Sequence, residues 1–320
     1  MKRSLAAAII AMVSGSCAIA APDTYPSQPI TFLVPYAAGG PTDTVARLLA
    51  EAMGRRLGGR IIVENVAGAG GTLGSGRVAK AEPNGYTLLL NHIGMATSVT
   101  LYPGASYDPV AAFEPIGLIV DVPMTMVGRA SLEPNSLAEL VSFVRRGEGR
   151  ATYAHAGPGT ASHLCGTMFL AATRMTATAV PYRGTGPAMS DLVGGQVDFM
   201  CDQTTNTTTF IRSGHVKAYV TTRAARIPTL PEVPSAPEAG FATLELSIWH
   251  GLYAPKGTPP EIRQKLEAAL AAALDDPALT ARFGELGGIV VAQAERRPAA
   301  LRAKLAAEIE RWRGVLSPAQ

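Results

Sequence analysis

The chain has 320 residues, 47% of them hydrophobic and 17% charged, with 28 lysines and arginines against 25 aspartates and glutamates. This is an ordinary globular composition, long enough for one large domain or two of about 150 residues each. No basic tract or aromatic–basic alternation accompanies the near-balanced charge, so nucleic acid is excluded as the expected partner.

The amino end reads MKRSLAAAIIAMVSGSCAIAAPDTYP. Lys2 and Arg3 precede an apolar run that closes on Ala18, Ile19 and Ala20 as a small-x-small cleavage site, the pattern of a secretory signal peptide over residues 1–20. Cys17 opens a lipoprotein alternative, but Ser14, Gly15 and Ser16 supply no leucine-like residue upstream of it. No other stretch approaches the ~20 apolar residues of a membrane span, so a soluble exported protein is expected. Without the signal, 26 basic and 25 acidic residues remain, with two cysteines, Cys165 and Cys201. In an oxidising compartment an even pair favours a disulfide, with two buried thiols as the alternative.

Past the signal, short apolar runs alternate with helical ones. ITFLVP, RIIVEN and YTLLLN read as strands, separated by a helix from Pro41 to about Leu57 and by another near Gly74 to Ala81. This βαβαβ order predicts a parallel sheet with helices on its faces. In the first helix Val45, Leu48, Leu49, Ala52 and Met53 form one stripe, and Arg47, Glu51 and Arg55 face out. A second run repeats the logic. NSLAELVSFVRR opens on Ser136 and Glu139 in capping-box spacing, and ATYAH, TATAVPY, QVDFMCD and VKAYVTT follow as strands between helical segments. RIPTLPEVPSAPEAGF is a proline-rich loop, after which SIWHGLYAP is a strand and the rest is helical to about Arg313. Two α/β lobes are therefore expected, residues 21–120 plus 250–320 and residues 121–249. They would be joined by crossings near Ile119–Pro123 and Ser247–Gly251.

One device occurs twice. VPYAAGGP from Val34 and VPYRGTGP from Val180 both read Val-Pro-Tyr, three residues, Gly-Pro. In open α/β sheets ligands sit beyond the carboxyl ends of strands, where free N–H groups and the dipole at a helix amino end favour an anion. Gly39 and Gly40 permit close main-chain approach there, and Gly184 and Gly186 repeat it. AGPGTASH, with Gly157, Gly159, Thr160, Ser162 and His163, supplies a third such turn. Two or three turns facing each other would grip a carboxylate without an arginine, and bulk at Gly39 or Gly159 is expected to block the ligand's approach.

VPYAAGGPTDTVARLLAEAM, VENVAGAGGTLGSGRVAKAEPNGYTLL, GTASHLCGTMF, VPYRGTGPAMSDLVGGQVDFMCDQ, VPSAPEAGF and WHGLYAPKGTP together resemble the solute receptors of tripartite tricarboxylate transporters, the Bug receptors. The resemblance runs nearly the whole mature length in family order. It departs at PSAPEAG, where members often carry Thr. It implies a periplasmic two-lobed binding protein of the type II, Venus-flytrap form, a monomer that closes on a small carboxylate and serves membrane permease subunits. A periplasmic carboxylate sensor acting on a signalling partner is the alternative.

The candidate ligand-binding residues are Tyr36, Ala38, Gly39, Gly40, Asp43, His92, Gly157, Gly159, Thr160, Ser162, His163, Tyr182, Gly184, Asp202 and Thr204. Asp43 has a second reading as a cap of its own loop, since a carboxylate repels an anion unless water bridges them. Ser162 and His163 have one as helix caps. Tyr36 and Tyr182 read as cleft walls. Nothing points to an enzyme. There is no G-x-S-x-G elbow, and Gly74, Gly76 and Ala79 lie too far past their strand for a dinucleotide turn, so they read as tight packing. The five histidines lack metal-ligand spacing, and no metal or cofactor is expected. Cys165, in the first turns of a helix, and Cys201, at a strand end, should meet at one sheet edge, within the ~4.4–6.8 Å a disulfide requires.

Overall fold

The computed structural model describes residues 25–316; the signal peptide expected over residues 1–20 lies outside the described residues. The first half opens with β1 (Ile30–Val34), α1 (Pro41–Leu57) and β2 (Ile61–Asn65), then α2 (Thr72–Ala79), β3 (Thr87–His92) and α3 (Gly94–Leu101). A long strand, β4 (Phe113–Arg129), leads into α4 (Leu137–Arg146), β5 (Thr152–His155), α5 (Ala161–Thr173), β6 (Thr178–Pro181) and α6 (Thr185–Val193). Next come β7 (Phe199–Gln203), α7 (Thr204–Arg212) and β8 (Val216–Thr221). A second long strand, β9 (Ser247–Pro255), returns to the first half, and α8 (Pro260–Leu274), α9 (Pro277–Glu285), β10 (Ile289–Val290) and α10 (Pro298–Leu316) follow.

The sheet order is β2-β1-β3-β9-β4-β7-β5-β6, with β8 and β10 paired to β4. β1 lies parallel to β2 and β3, and β5 lies parallel to β6 and β7, as βαβ units require. Two long strands outside the βαβ units, β4 and β9, depart from the parallel pattern. They run antiparallel to each other, β9 runs antiparallel to β3, and β4 runs antiparallel to β7 and β8. Neither long strand reaches its neighbours through a helical crossover, so the parallel rule does not bind it. β4 serves both halves: Phe113 to Pro123 pair with β9, and from Met124 onwards the partners are β7 and β8. The two prolines in this strand sit where the ladder is irregular, Pro115 at a register shift and Pro123 at the change of partner.

Strand alternation sorts the core into two layers. Phe32 and Val34 pack with Val45, Leu49 and Met53 of α1 and with Leu266 and Leu270 of α8. Leu33 faces the other way, into a cluster that includes Leu301, Leu305 and Trp312 of α10. Both faces are covered, which is why ITFLV is apolar without alternation. α10 packs on α3 and β4, returning the carboxyl end to the first half. The Ser136 cap forms: its hydroxyl accepts from the Glu139 N–H at 3.2 Å, while the Glu139 carboxylate takes the Asn135 N–H at 2.8 Å. The tight-packing reading of Gly74 and Gly76 fits the space available. A Cβ on Gly74 would lie 2.6 Å from the Val66 carbonyl oxygen, and one on Gly76 2.7 Å from the Ser106 hydroxyl. Among the described residues no helix is long and apolar enough to cross a membrane.

Cys165 of α5 and Cys201 of β7 are bonded, with Cα atoms 5.9 Å apart and both side chains buried. The bond closes a loop with a sequence separation of 36. In the chain-entropy account such a loop contributes about 4 kcal/mol. The expected result is no free thiol in the denatured, unreduced mature protein, which lacks Cys17. A Cys165→Ala/Cys201→Ala double variant should unfold at lower urea by about that free energy. Two titratable thiols per chain would overturn the pairing.

Candidate functional site

The glycine turns come together where strand ends of both halves meet. After β1, Tyr36 to Gly40 turn into α1; Gly39 takes φ +78° and Pro41 opens the helix, where its missing N–H leaves no bond unmade. The buried Asp43 closes this turn on itself. Its carboxylate accepts from the Gly39 N–H at 3.1 Å and from the Arg47 guanidinium at 2.9 and 3.0 Å. Its charge is therefore matched by a cation one helical turn away, in keeping with the capping reading.

The turn from β5 into α5 is laced in the same manner. Gly157 and Gly159 take φ +107° and +76°. The Ser162 hydroxyl accepts from the Ala156 N–H at 2.9 Å, and the Thr160 hydroxyl donates to the Gly157 carbonyl at 2.7 Å. His155 and His92 repeat a His-x-Gly device, each Nδ1 accepting the N–H two residues on, from Gly157 and Gly94, at 3.1 Å. An accepting Nδ1 puts the proton of a neutral imidazole on Nε2. Burial, aided by nearby His250, pushes the His92 pKa well below the usual histidine range, and burial also lowers that of His155. At neutral pH His92 is thus an uncharged donor. Its ring stacks on Tyr36 with centroids 4.6 Å apart.

These elements enclose a chamber with about 310 Å³ of empty space, counting the part open to solvent. The first half lines it with Tyr36, Ala37, Gly40, Thr42, Asp43 and His92; the second contributes Ala156, Thr160, Ser162, Thr185, Asp202 and Gln203. Among the described residues neither lysine nor arginine lines it. Beyond Tyr36 and Ala156 lies a second space of about 360 Å³, walled by Gly70, Gly157, Tyr182 and Arg183 among others. The halves touch directly around both spaces. The Ala37 N–H donates to the Arg183 carbonyl at 3.1 Å, Thr97 Oγ1 to the Gly159 carbonyl at 2.6 Å, and Tyr102 to the Pro158 carbonyl at 3.0 Å. The two Val-Pro-Tyr repeats meet through equivalent glycines: a Cβ on Gly40 would lie 3.5 Å from the Gly186 nitrogen, and one on Gly186 3.2 Å from the Gly40 nitrogen.

Asp202, at the end of β7, is buried, and its carboxylate accepts from the Asn206 amide at 2.6 Å. Burial pushes its pKa up to about 6, while the Asn206 amide, the Gln203 N–H and the Thr185 hydroxyl hold it back.

Of the residues singled out from sequence, Tyr36, Gly40, Asp43, His92, Thr160, Ser162 and Asp202 line the chamber, and Gly157 and Tyr182 line the space beside it. Tyr182 spends its hydroxyl on Asp191, at 2.7 Å. Ala38 and Gly39 sit exposed on the rim. Gly159 and Gly184 stand at points where the halves press together. His163, half-buried, accepts the Gly159 N–H on Nδ1 at 3.2 Å and so braces the turn. Thr204 does not line the chamber; it is buried beside Gly287 and Ile227. Thr42, Thr185 and Gln203 line the chamber and were not anticipated. Thr185 was legible in the repeat, where it stands at the position equivalent to Gly39. Among the described residues no three His, Cys, Asp or Glu side chains gather as metal ligands.

Comparison with known proteins gives this architecture a family. The tripartite tricarboxylate transporter family receptor profile matches residues 45–315. A protein from the TAR-I ttuE-ttuC' intergenic region of Agrobacterium vitis is 52% identical over 299 residues, 93% of this chain and 86% of that one. The structure of the periplasmic binding protein BugD is 49% identical with a TM-score of 0.88, covering 91% of this chain and 97% of its own. MatC from Rhodopseudomonas palustris with bound malate is 41% identical with a TM-score of 0.87, covering 92% and 100%. The chain is a periplasmic-type solute-binding protein rather than an enzyme, and it belongs to the tripartite tricarboxylate transporter receptor family.

Proposed function

We propose that the protein is an exported receptor that binds a small carboxylate between its two halves and delivers it, as a monomer, to the membrane subunits of a tripartite transporter. The observation that carries the reading is the meeting of the two Val-Pro-Tyr glycine turns, at the amino ends of α1 and α6, around a chamber that, among the described residues, neither lysine nor arginine lines. Such a chamber binds an anion through backbone N–H groups, helix dipoles and neutral donors such as His92. The malate held by MatC supports a carboxylate as the ligand class. The lobes are residues 21–120 with 250–320 and residues 121–249, hinged where β4 changes partner and where β9 begins.

The decisive measurement is thermal unfolding with small carboxylic acids and their amides at neutral pH. An acid at a hundred times its dissociation constant should add about 2.7 kcal/mol of stability, and its amide should add none. Equal shifts from acid and amide would remove the anion site. Hinged lobes also predict a smaller radius of gyration in small-angle scattering with the acid bound, and an unchanged radius at saturation would leave the lobes fixed.

A further inference from the structure

We propose that Asp202 and Gln203 form an acceptor subsite, so that the ligand carries a hydroxyl or ammonium donor near its carboxylate. This rests on the carboxylate reading above and narrows it. Three observations support it. Gln203 is buried and lines the chamber, and its Oε1 has no hydrogen-bond partner among the described residues. Asp202, the adjacent residue, is equally buried and lines the same chamber. Among the described residues its carboxylate has amide and hydroxyl neighbours, Asn206 and Thr185, and no cation.

Apart from the matched Asp43, the groups around the rest of the chamber with a proton to give are suited to an anion: the His92 Nε2–H and the N–H groups of the helix starts, since the Thr160 and Thr185 hydroxyls already donate to the Gly157 carbonyl and to Asp202. A plain carboxylate brings acceptors alone. It satisfies those donors and leaves the Asp202 and Gln203 oxygens buried opposite more oxygen, which is unfavourable twice over. On the carbon beside the carboxylate an ammonium can donate to both oxygens, and a hydroxyl to one of them. Sites that hold buried hydrogen-bonding groups discriminate strongly against analogues lacking the complement, because the site's own groups are then left unpaired.

The test is titration calorimetry on the mature protein with acids matched in skeleton: propionate against lactate and alanine, succinate against malate and aspartate, tricarballylate against citrate. Within the pair that binds, the donor-bearing acid should be about 10- to 100-fold tighter, the range set by leaving a buried acceptor unpaired. Gln203→Leu and Asp202→Ala should each shrink that ratio, chiefly by weakening the donor-bearing acid. Asp202→Asn separates the two donor types: it should weaken an amino acid more than tenfold and a hydroxy acid only slightly. In the unmodified protein, a plain acid that binds as tightly as its donor-bearing partners would overturn the subsite and leave the carboxylate reading standing. Silence from every acid would end both.

Discussion

Replacing Gly186 with alanine is expected to raise the stability of the protein slightly in the absence of carboxylate and to weaken carboxylate binding sharply. Gly186 is the second residue of α6, where alanine is the better helix former by about 0.5–1 kcal/mol. Its added Cβ would point across the cleft, onto the Ala38 carbonyl oxygen and to within 3.0 Å of the Gly39 carbonyl carbon and 3.2 Å of the Gly40 nitrogen. All three are backbone atoms, which have no rotamer to escape into, so only parting the halves relieves the contact. Overpacking of this kind costs about 1–3 kcal/mol, a 5- to 150-fold loss of affinity when it falls on the bound form alone. Gly39→Ala makes the opposite pair of effects. A Cβ there meets no protein atom within 4 Å, so an alanine does not part the halves at this position. Its cost is the left-handed backbone, about 1–2 kcal/mol, and falls on both forms alike. Melting and calorimetry on both variants check this. Unimpaired binding by Gly186→Ala would show that the glycines do not close on each other when ligand binds.

The second expected result is that Asp202→Asn stabilises the protein at pH 7.5 and leaves it unchanged near pH 3. The Asp202 carboxyl titrates at about 6 in the folded chain against 3.8 for an unperturbed aspartate. A carboxyl whose pKa rises on folding opposes folding once it ionises. The penalty is absent below about pH 3, where both states are protonated, grows between about 3 and 6, and is complete above 6, at about 3 kcal/mol. The amide keeps the shape and removes the charge, so unfolding should shift upward by roughly 5 °C at pH 7.5. Asp43, held by Arg47, and neutral His92 share the chamber wall, and Tyr153 lies close to Asp202. None of them supplies a cation to offset the charge. Urea melts at the two pH values decide it, and a variant less stable than the parent at pH 7.5 would overturn the account. A buried acid retained at this expense is what a binding site requires and a core does not.

Where the fold was legible, local pattern and tertiary burial agreed. The stripe of α1, the Ser136 cap and the strands from ITFLV to VKAYVT each announce themselves by periodicity or punctuation. The helix α3, GMATSVTL, gave no such signal, because Gly94 to Ser98 are all buried and no polar face marks its period. Thr204 shows the same limit at the site. A strand end followed by hydroxyls looks like a cleft wall, yet α7 buries Thr204 through Thr208 while packing against β4 and α1. Thr42 and Gln203 were hidden for a related reason: neither belongs to a glycine turn, and only the approach of the halves brings both to one chamber.

The sequence by itself determined the strand-and-helix alternation, the repeated Val-Pro-Tyr turn, the left-handed glycines and the cysteine pair. These depend on residues close in the chain, on backbone freedom, or on composition. The tertiary structure decided which residues come together: Gly40 against Gly186, the Ala37 N–H on the Arg183 carbonyl, and Asp202, Gln203 and His92 on the wall of one chamber. It also decided that β4 and β9 run antiparallel, because a strand's direction follows from how its ends are connected rather than from its residues. Contacts between halves are set by where β4 changes partner, far along the chain from every residue that meets there. No local signal encodes that distance.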